Sequence, residues 1–175
     1  MAPPEILTIG HSRHPLERFL GLLRQHRVEV LADVRSQPFS RWSPHFSRGA
    51  LERAIGEAGL RYLFLGDALG GRPKPRACYG PDGHVDYDRI EAQDFYQRGI
   101  ARLLEDAARS RVALMCAEED PARCHRRLLI ARTLVRRGVA IRHLRGSGAV
   151  EPEGLDEELD ASAGPGPAQL SLLGR

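Results

Sequence analysis

Short apolar runs alternating with helix-period segments constrain this chain more than any other feature. Ile6 to Ile9, Val28 to Ala32, Leu60 to Leu65, Val112 to Met115 and Val139 to Leu144 are five runs of strand length. Between them, apolar residues recur three and four apart. Pro15 opens the first such segment, followed by Leu16, Phe19, Leu20 and Leu23. Residues 49–58 form the second, with Leu51, Ala54, Ile55 and Ala58, closed by Gly59. The third covers residues 89–109 and carries Ile90, Phe95, Ile100, Leu103 and Leu104. The fourth starts at Asp120-Pro121 and runs through Leu128, Leu129, Ala131, Leu134 and Val135 to Gly138. Five strands alternating with four helices predict a single α/β domain, with a mostly parallel five-stranded sheet flanked by helices. The crossovers should be right-handed.

The pattern stops near residue 146. Residues 147–168 read as a flexible, acidic Gly/Pro linker, and residues 169–175 as an apolar tail. The net charge of +3 averages these unlike parts. Residues 1–146 hold 25 basic and 17 acidic groups, whereas residues 147–175 hold six acids and one arginine. Of the 26 basic residues only Lys74 is lysine. An arginine-rich domain follows from codon usage alone, and it also suits phosphate, whose oxygens match a guanidinium fork. Three cysteines are too few for a disulfide scaffold. No apolar run is long enough to span a membrane, so no membrane partner is expected. The opening residues lack the basic-then-apolar order of a secretory signal, which suggests a cytoplasmic protein.

Ligands of open α/β sheets bind outside the carboxyl ends of the strands. Those ends carry Gly10-His11-Ser12, Asp33-Val34-Arg35, and Cys116-Ala117-Glu118. The densest chemistry lies between Met115 and Arg126, where Cys124 falls in the expected first turn of a helix. Unpaired amides and the helix dipole favour a thiolate there, and Arg123, Arg126 and Arg127 add positive charge. Cys124 or Cys116 is then a candidate nucleophile. Strand, cysteine, loop, arginine and helix in this order are similar to thiol phosphatases and rhodaneses. Those families keep five residues between cysteine and arginine, where six separate Cys116 from Arg123. Both cysteines also fit as small buried hydrophobes. Asp33, His11 and His125 are candidates for proton transfer, and Ser12, Arg35, Arg123, Arg126 and Glu118 for holding a phosphate-bearing ligand. Asp33 and Arg35 equally fit a structural ion pair. Trp42, Phe46, Tyr62 and Tyr79 are aromatics for base stacking or for packing. Cys116, Cys124 and His125 offer ligands for a metal, but a spacing of eight positions between the cysteines disfavours a structural zinc site. No cofactor is identified.

Several motifs in order resemble one family. They are Thr8-Ile9-Gly10-His11-Ser12, Asp33-Val34-Arg35 followed by Pro38 and Ser40, Leu69-Gly70-Gly71, and Cys116-x-Glu118 with Cys124-His125-Arg126. Together they resemble the bacterial domain of unknown function 488 over about residues 6–144. The resemblance implies an α/β fold and a shared polar site at His11, Ser12, Asp33, Arg35, Cys116, Glu118, Cys124, His125 and Arg126, with no implied reaction. In the tail, Gln169-Leu170-Ser171-Leu172-Leu173 resembles the pentapeptide with which bacterial proteins bind the sliding clamp. It departs from that pattern in ending on leucine where phenylalanine is commoner. A flexible tether presenting apolar anchors suits such docking.

These readings combine into a DNA-metabolism protein tethered to the sliding clamp. Its domain would hold a nucleotide or nucleic acid, with thiol-based catalysis as the enzymatic version. A non-enzymatic nucleic-acid or protein-binding module, and a metal-binding or redox-sensing domain, are the alternatives.

Overall fold

The computed structural model describes residues 4–154. The clamp-like residues Gln169 to Leu173 and most of the expected linker lie outside the described residues. Six strands form one sheet in the order β3-β2-β4-β1-β5-β6. They are β1 (Glu5–Gly10), β2 (Val30–Asp33), β3 (Arg61–Phe64), β4 (Val112–Cys116), β5 (Ala140–Leu144) and β6 (Val150–Pro152). The first five are parallel, with Leu7 opposite Ala113 on one side of β1 and opposite Arg142 on the other. Near-continuous burial of β1, β2 and β4 is what a parallel sheet covered on both faces requires.

Alternate residues of each strand serve two cores. Ile6, Val30, Ala32 and Leu114 face the helices α5 (Asp94–Ala107) and α6, the latter composed of a π-helical segment Arg126–Ala131 and an α-helical turn Arg132–Val135. Leu7, Ile9, Leu31 and Met115 face α1 (Leu16–Gln25) and α2 (Arg48–Glu57). Two short helices, α3 (Gly66–Leu69) and α4 (Tyr87–Glu91), interrupt the long loop after β3. The chain leaves β1 toward β2 on one side and leaves β4 toward β5 on the other. The neighbouring ends of β1 and β4 are therefore the topological switch point, where α/β sheets place their ligands. Among the described residues no helix is long and apolar enough to cross a membrane.

The sheet corrects the sequence reading in two places. It has six strands and is mixed, because β6 runs antiparallel to β5. β6 comes from residues expected to begin the linker. Gly148, with φ +91°, closes a hairpin in which the Arg145 N–H donates to the Ala149 carbonyl (2.8 Å). The expected helices 89–109 and 121–138 are both broken. Gln93 is extended between α4 and α5. A tight turn at Pro121–Arg123, capped by the Asp120 carboxylate on the Ala122 N–H, precedes an extended Cys124. Cys124 thus stands ahead of α6 rather than inside its first turn.

A buried polar chain fastens β6. Thr8 Oγ1 meets His143 Nδ1 at 2.6 Å, and His143 Nε2–H donates to Glu153 Oε2 at 2.6 Å. Arg127 Nε donates to both Glu153 oxygens at 2.9 Å. Burial pushes the Glu153 pKa up, but hydrogen bonds from His143 and Arg127 outweigh it and hold the carboxyl below its ordinary range. Its stabilisation is therefore present above that ordinary range and lost as pH falls through the folded value. Glu153→Gln should lower stability at neutral pH by about 3 kcal/mol in urea titrations. The gap from wild type should close as pH drops below about 4.

Candidate functional site

The two cysteines meet where β4 ends and α6 begins. Cys116 Sγ lies 2.7 Å from Cys124 Sγ, and both residues are buried. Cys124 sits between the Pro121–Arg123 turn and His125, the cap of α6: its carbonyl accepts from the N–H groups of Arg127 and Leu128, and its sulfur from the Arg126 N–H at 3.5 Å. A thiolate there faces the positive end of the helix. His125 Nδ1 is 3.7 Å from Cys124 Sγ, while His125 Nε2–H donates to the Val34 carbonyl at 2.9 Å. That second bond leaves Nδ1 as the nitrogen that exchanges a proton with the sulfur. The Cys116 S–H donates to Cys124 and holds its thiol far below the ordinary range. Burial opposes the shift, and His125 and the Arg126 N–H add to it. Cys116 is raised in turn, first by that same bond and then by burial.

Arg126 is buried beside the cysteine pair. Its side chain has no exposure, yet no carboxylate pairs with it among the described residues. Nη1 donates to Cys116 Sγ at 3.4 Å and Nη2 to the Glu119 carbonyl at 2.8 Å, while Nε has no partner. The guanidinium thus faces Cys116, and Arg126 reaches Cys124 through its backbone N–H.

A second cluster holds Arg35. The fully buried Asp33 carboxylate accepts from Arg35 Nε (2.9 Å), Arg35 Nη2 (2.7 Å), the Arg35 backbone N–H (3.2 Å) and the Tyr62 O–H (2.6 Å). Arg35 Nη1 donates to His11 Nε2 at 3.2 Å, and His11 Nδ1–H donates to the Ser12 carbonyl at 2.8 Å. The His11 ring stacks on Phe46 with centroids 4.4 Å apart. Burial, helped by Arg35, lowers the His11 pKa to about 4. Asp33 and His11, expected as proton carriers, both bond Arg35, and each has a further partner, Tyr62 for Asp33 and the Ser12 carbonyl for His11.

The two clusters share a cavity of ≈ 380 Å³ at the switch point. Arg35, Arg72, Arg123, Cys116, Cys124 and His125 line it, and His11 and Glu118 reach its wall. Ser12, Asp33 and Arg126 do not line it. Arg72, which sequence reasoning missed, follows the Leu69-Gly70-Gly71 motif directly. That motif is the signal that could have found it. A Cβ on Gly71 would lie 2.9 Å from the His125 ring, so the motif is the ledge on which His125 rests. Gly10 has a like duty, since a Cβ there would meet the Glu118 carbonyl at 1.9 Å.

No group of three ligating side chains forms among the described residues.

No curated protein and no solved structure matches this chain. A family model described as domain of unknown function DUF488 matches residues 15–133, which include the ends of β2 and β4 and the cysteine pair. The chain therefore belongs to the DUF488 family.

Proposed function

We propose that this domain is a thiol-dependent hydrolase or transferase acting on a phosphate-bearing ligand, a nucleotide or nucleic acid. The observation that carries the reading is Cys124 Sγ in the wall of a cavity whose other walls bear Arg35, Arg72 and Arg123. Three guanidinium groups neutralise and orient an anion. Cys124 then forms a bond to the electrophilic atom, and the leaving group takes a proton from His125 Nδ1. For a hydrolase, water returns its proton to His125 as it releases the covalent intermediate. Cys116 and the Arg126 backbone N–H keep Cys124 ionised, and Asp33, His11 and Tyr62 keep Arg35 in place.

Protection from alkylation tests the ligand class. Thymidine monophosphate should slow iodoacetamide labelling of Cys124, and Arg72→Ala or Arg123→Ala should weaken that protection about tenfold each. Labelling indifferent to the nucleotide would sink the reading.

We further propose that the tail docks on the sliding clamp and brings this site to DNA. Support comes from the Gln169-Leu170-Ser171-Leu172-Leu173 pattern alone. Purified clamp should retain the full chain but not a Gln169→Ala, Leu173→Ala variant. Equal retention of both ends this proposal.

A further inference from the structure

The loop along one side of the cavity carries two exposed rings. Phe39 and Trp42 are the two most exposed large apolar residues among those described, at 73% and 76%. Their loop is nevertheless built firmly. The Ser43 N–H donates to Ser40 Oγ (3.1 Å), the Ser40 N–H to Ser47 Oγ (3.2 Å), and the Arg48 N–H to the Pro38 carbonyl (2.8 Å). Phe46 and Ser43 are buried beneath it. The other aromatics considered for stacking are engaged in packing: Tyr62 bonds Asp33, and Tyr79 bonds the Pro73 carbonyl. Presenting two large rings to water on a fixed loop has no packing benefit, and Phe39 lines the cavity itself.

The positive charge also continues past the cavity. A second cavity of ≈ 370 Å³ adjoins the first, sharing Ser36 and Arg72, and adds Lys74. The Arg72 N–H donates to Ser36 Oγ at 2.9 Å, which fixes the ridge between them. Each cavity has one carboxylate, Glu118 in the first and Asp67 in the second, against the basic groups. In the same loop the Arg41 guanidinium lies 5.6 Å from the Trp42 ring centroid. Across the two cavities the cations Arg35, Arg123, Arg72 and Lys74 extend over more room than one phosphate occupies.

We propose that the ligand is a single strand of nucleic acid, with a base stacked on Phe39 and Trp42 and successive phosphates in the two cavities. A duplex keeps its bases within the helix and offers no free ring face to such a platform, whereas a single strand offers one at every residue. This proposal rests on the reading that the first cavity takes phosphate.

Trp42 is the only tryptophan in the chain, so its emission reports the stack directly. The full-length protein is titrated with an oligothymidylate of about 12 nucleotides, with the same strand annealed to its complement, and with thymidine monophosphate. The single strand should quench Trp42 and bind at least about tenfold more tightly than either competitor. By anisotropy of a labelled strand, Trp42→Ala and Phe39→Ala should each weaken binding roughly tenfold. Both variants should keep the wild-type urea midpoint, because these side chains are mostly exposed. Equal binding of strand and duplex, or undiminished binding by both variants, overturns the proposal. If the monophosphate protects Cys124 but the strand binds no better, the strand proposal fails and the phosphate reading stands. If neither ligand protects Cys124, both fail.

Discussion

Carboxymethylation of Cys124 at about pH 6 should slow by roughly tenfold or more when Cys116 is replaced by alanine. The Cys116 S–H is the first cause of the low Cys124 pKa, ahead of His125 and the Arg126 N–H. Without that donor the thiol climbs back toward its ordinary value of about 8.5. The sign fixes the pH window. Wild-type Cys124 is ionised well below the ordinary range, so at about pH 6 the variant has lost thiolate that the wild type retains. Near pH 9 both are ionised, and the difference should vanish. Cys116→Ser restores a hydroxyl donor and should recover most of the rate. A loss that persists at high pH, or that serine does not repair, would mean that Cys116 acts by packing alone. Peptide mass spectrometry separates Cys124 from Cys78 and Cys116, so each rate is read at its own residue.

Arg35→Ala should destabilise the domain by about 3–5 kcal/mol and remove anion binding. The stability loss comes from Asp33, which is fully buried and takes three of its four hydrogen bonds from Arg35. Of these the side chain supplies two, so truncation leaves a buried carboxylate with the Tyr62 hydroxyl as its main partner. The double variant Asp33→Asn, Arg35→Met removes both charges and should recover much of the stability, while anion binding stays lost. Urea titration beside nucleotide protection of Cys124 separates the two effects. Full stability in Arg35→Ala would refute the assignment of Asp33 as its support.

The parallel part of this fold was legible in the sequence because a strand buried on both faces has few polar residues. The runs at Ile6, Val30 and Val112 therefore stood out, and each was followed by the polar residues of the site. β6 was hidden for the opposite reason. It is an edge strand of three residues, with Glu151 exposed, and its anchor Glu153 reads as one more acid in an acidic stretch. Cys124 was recognised, but its position ahead of α6 depends on the break after Arg123, which a Pro121 start to the helix conceals. The Asp33–Arg35 ion pair was open to local sequence, but the hydrogen bond from Tyr62 on β3 was not. Arg72 was missed because its loop joins the site through long-range contacts, Gly71 with His125 and the Arg72 N–H with Ser36 Oγ.

The central claim is that Cys124 is a resting thiolate inside an anion-binding cavity. Its most direct test is the rate of iodoacetamide labelling of Cys124 in the wild-type protein between about pH 5 and pH 9. The account predicts a rate that stays nearly level across that range and falls when thymidine monophosphate is added. A rate that drops about tenfold per pH unit below about 8.5, as an ordinary thiol's does, would contradict it.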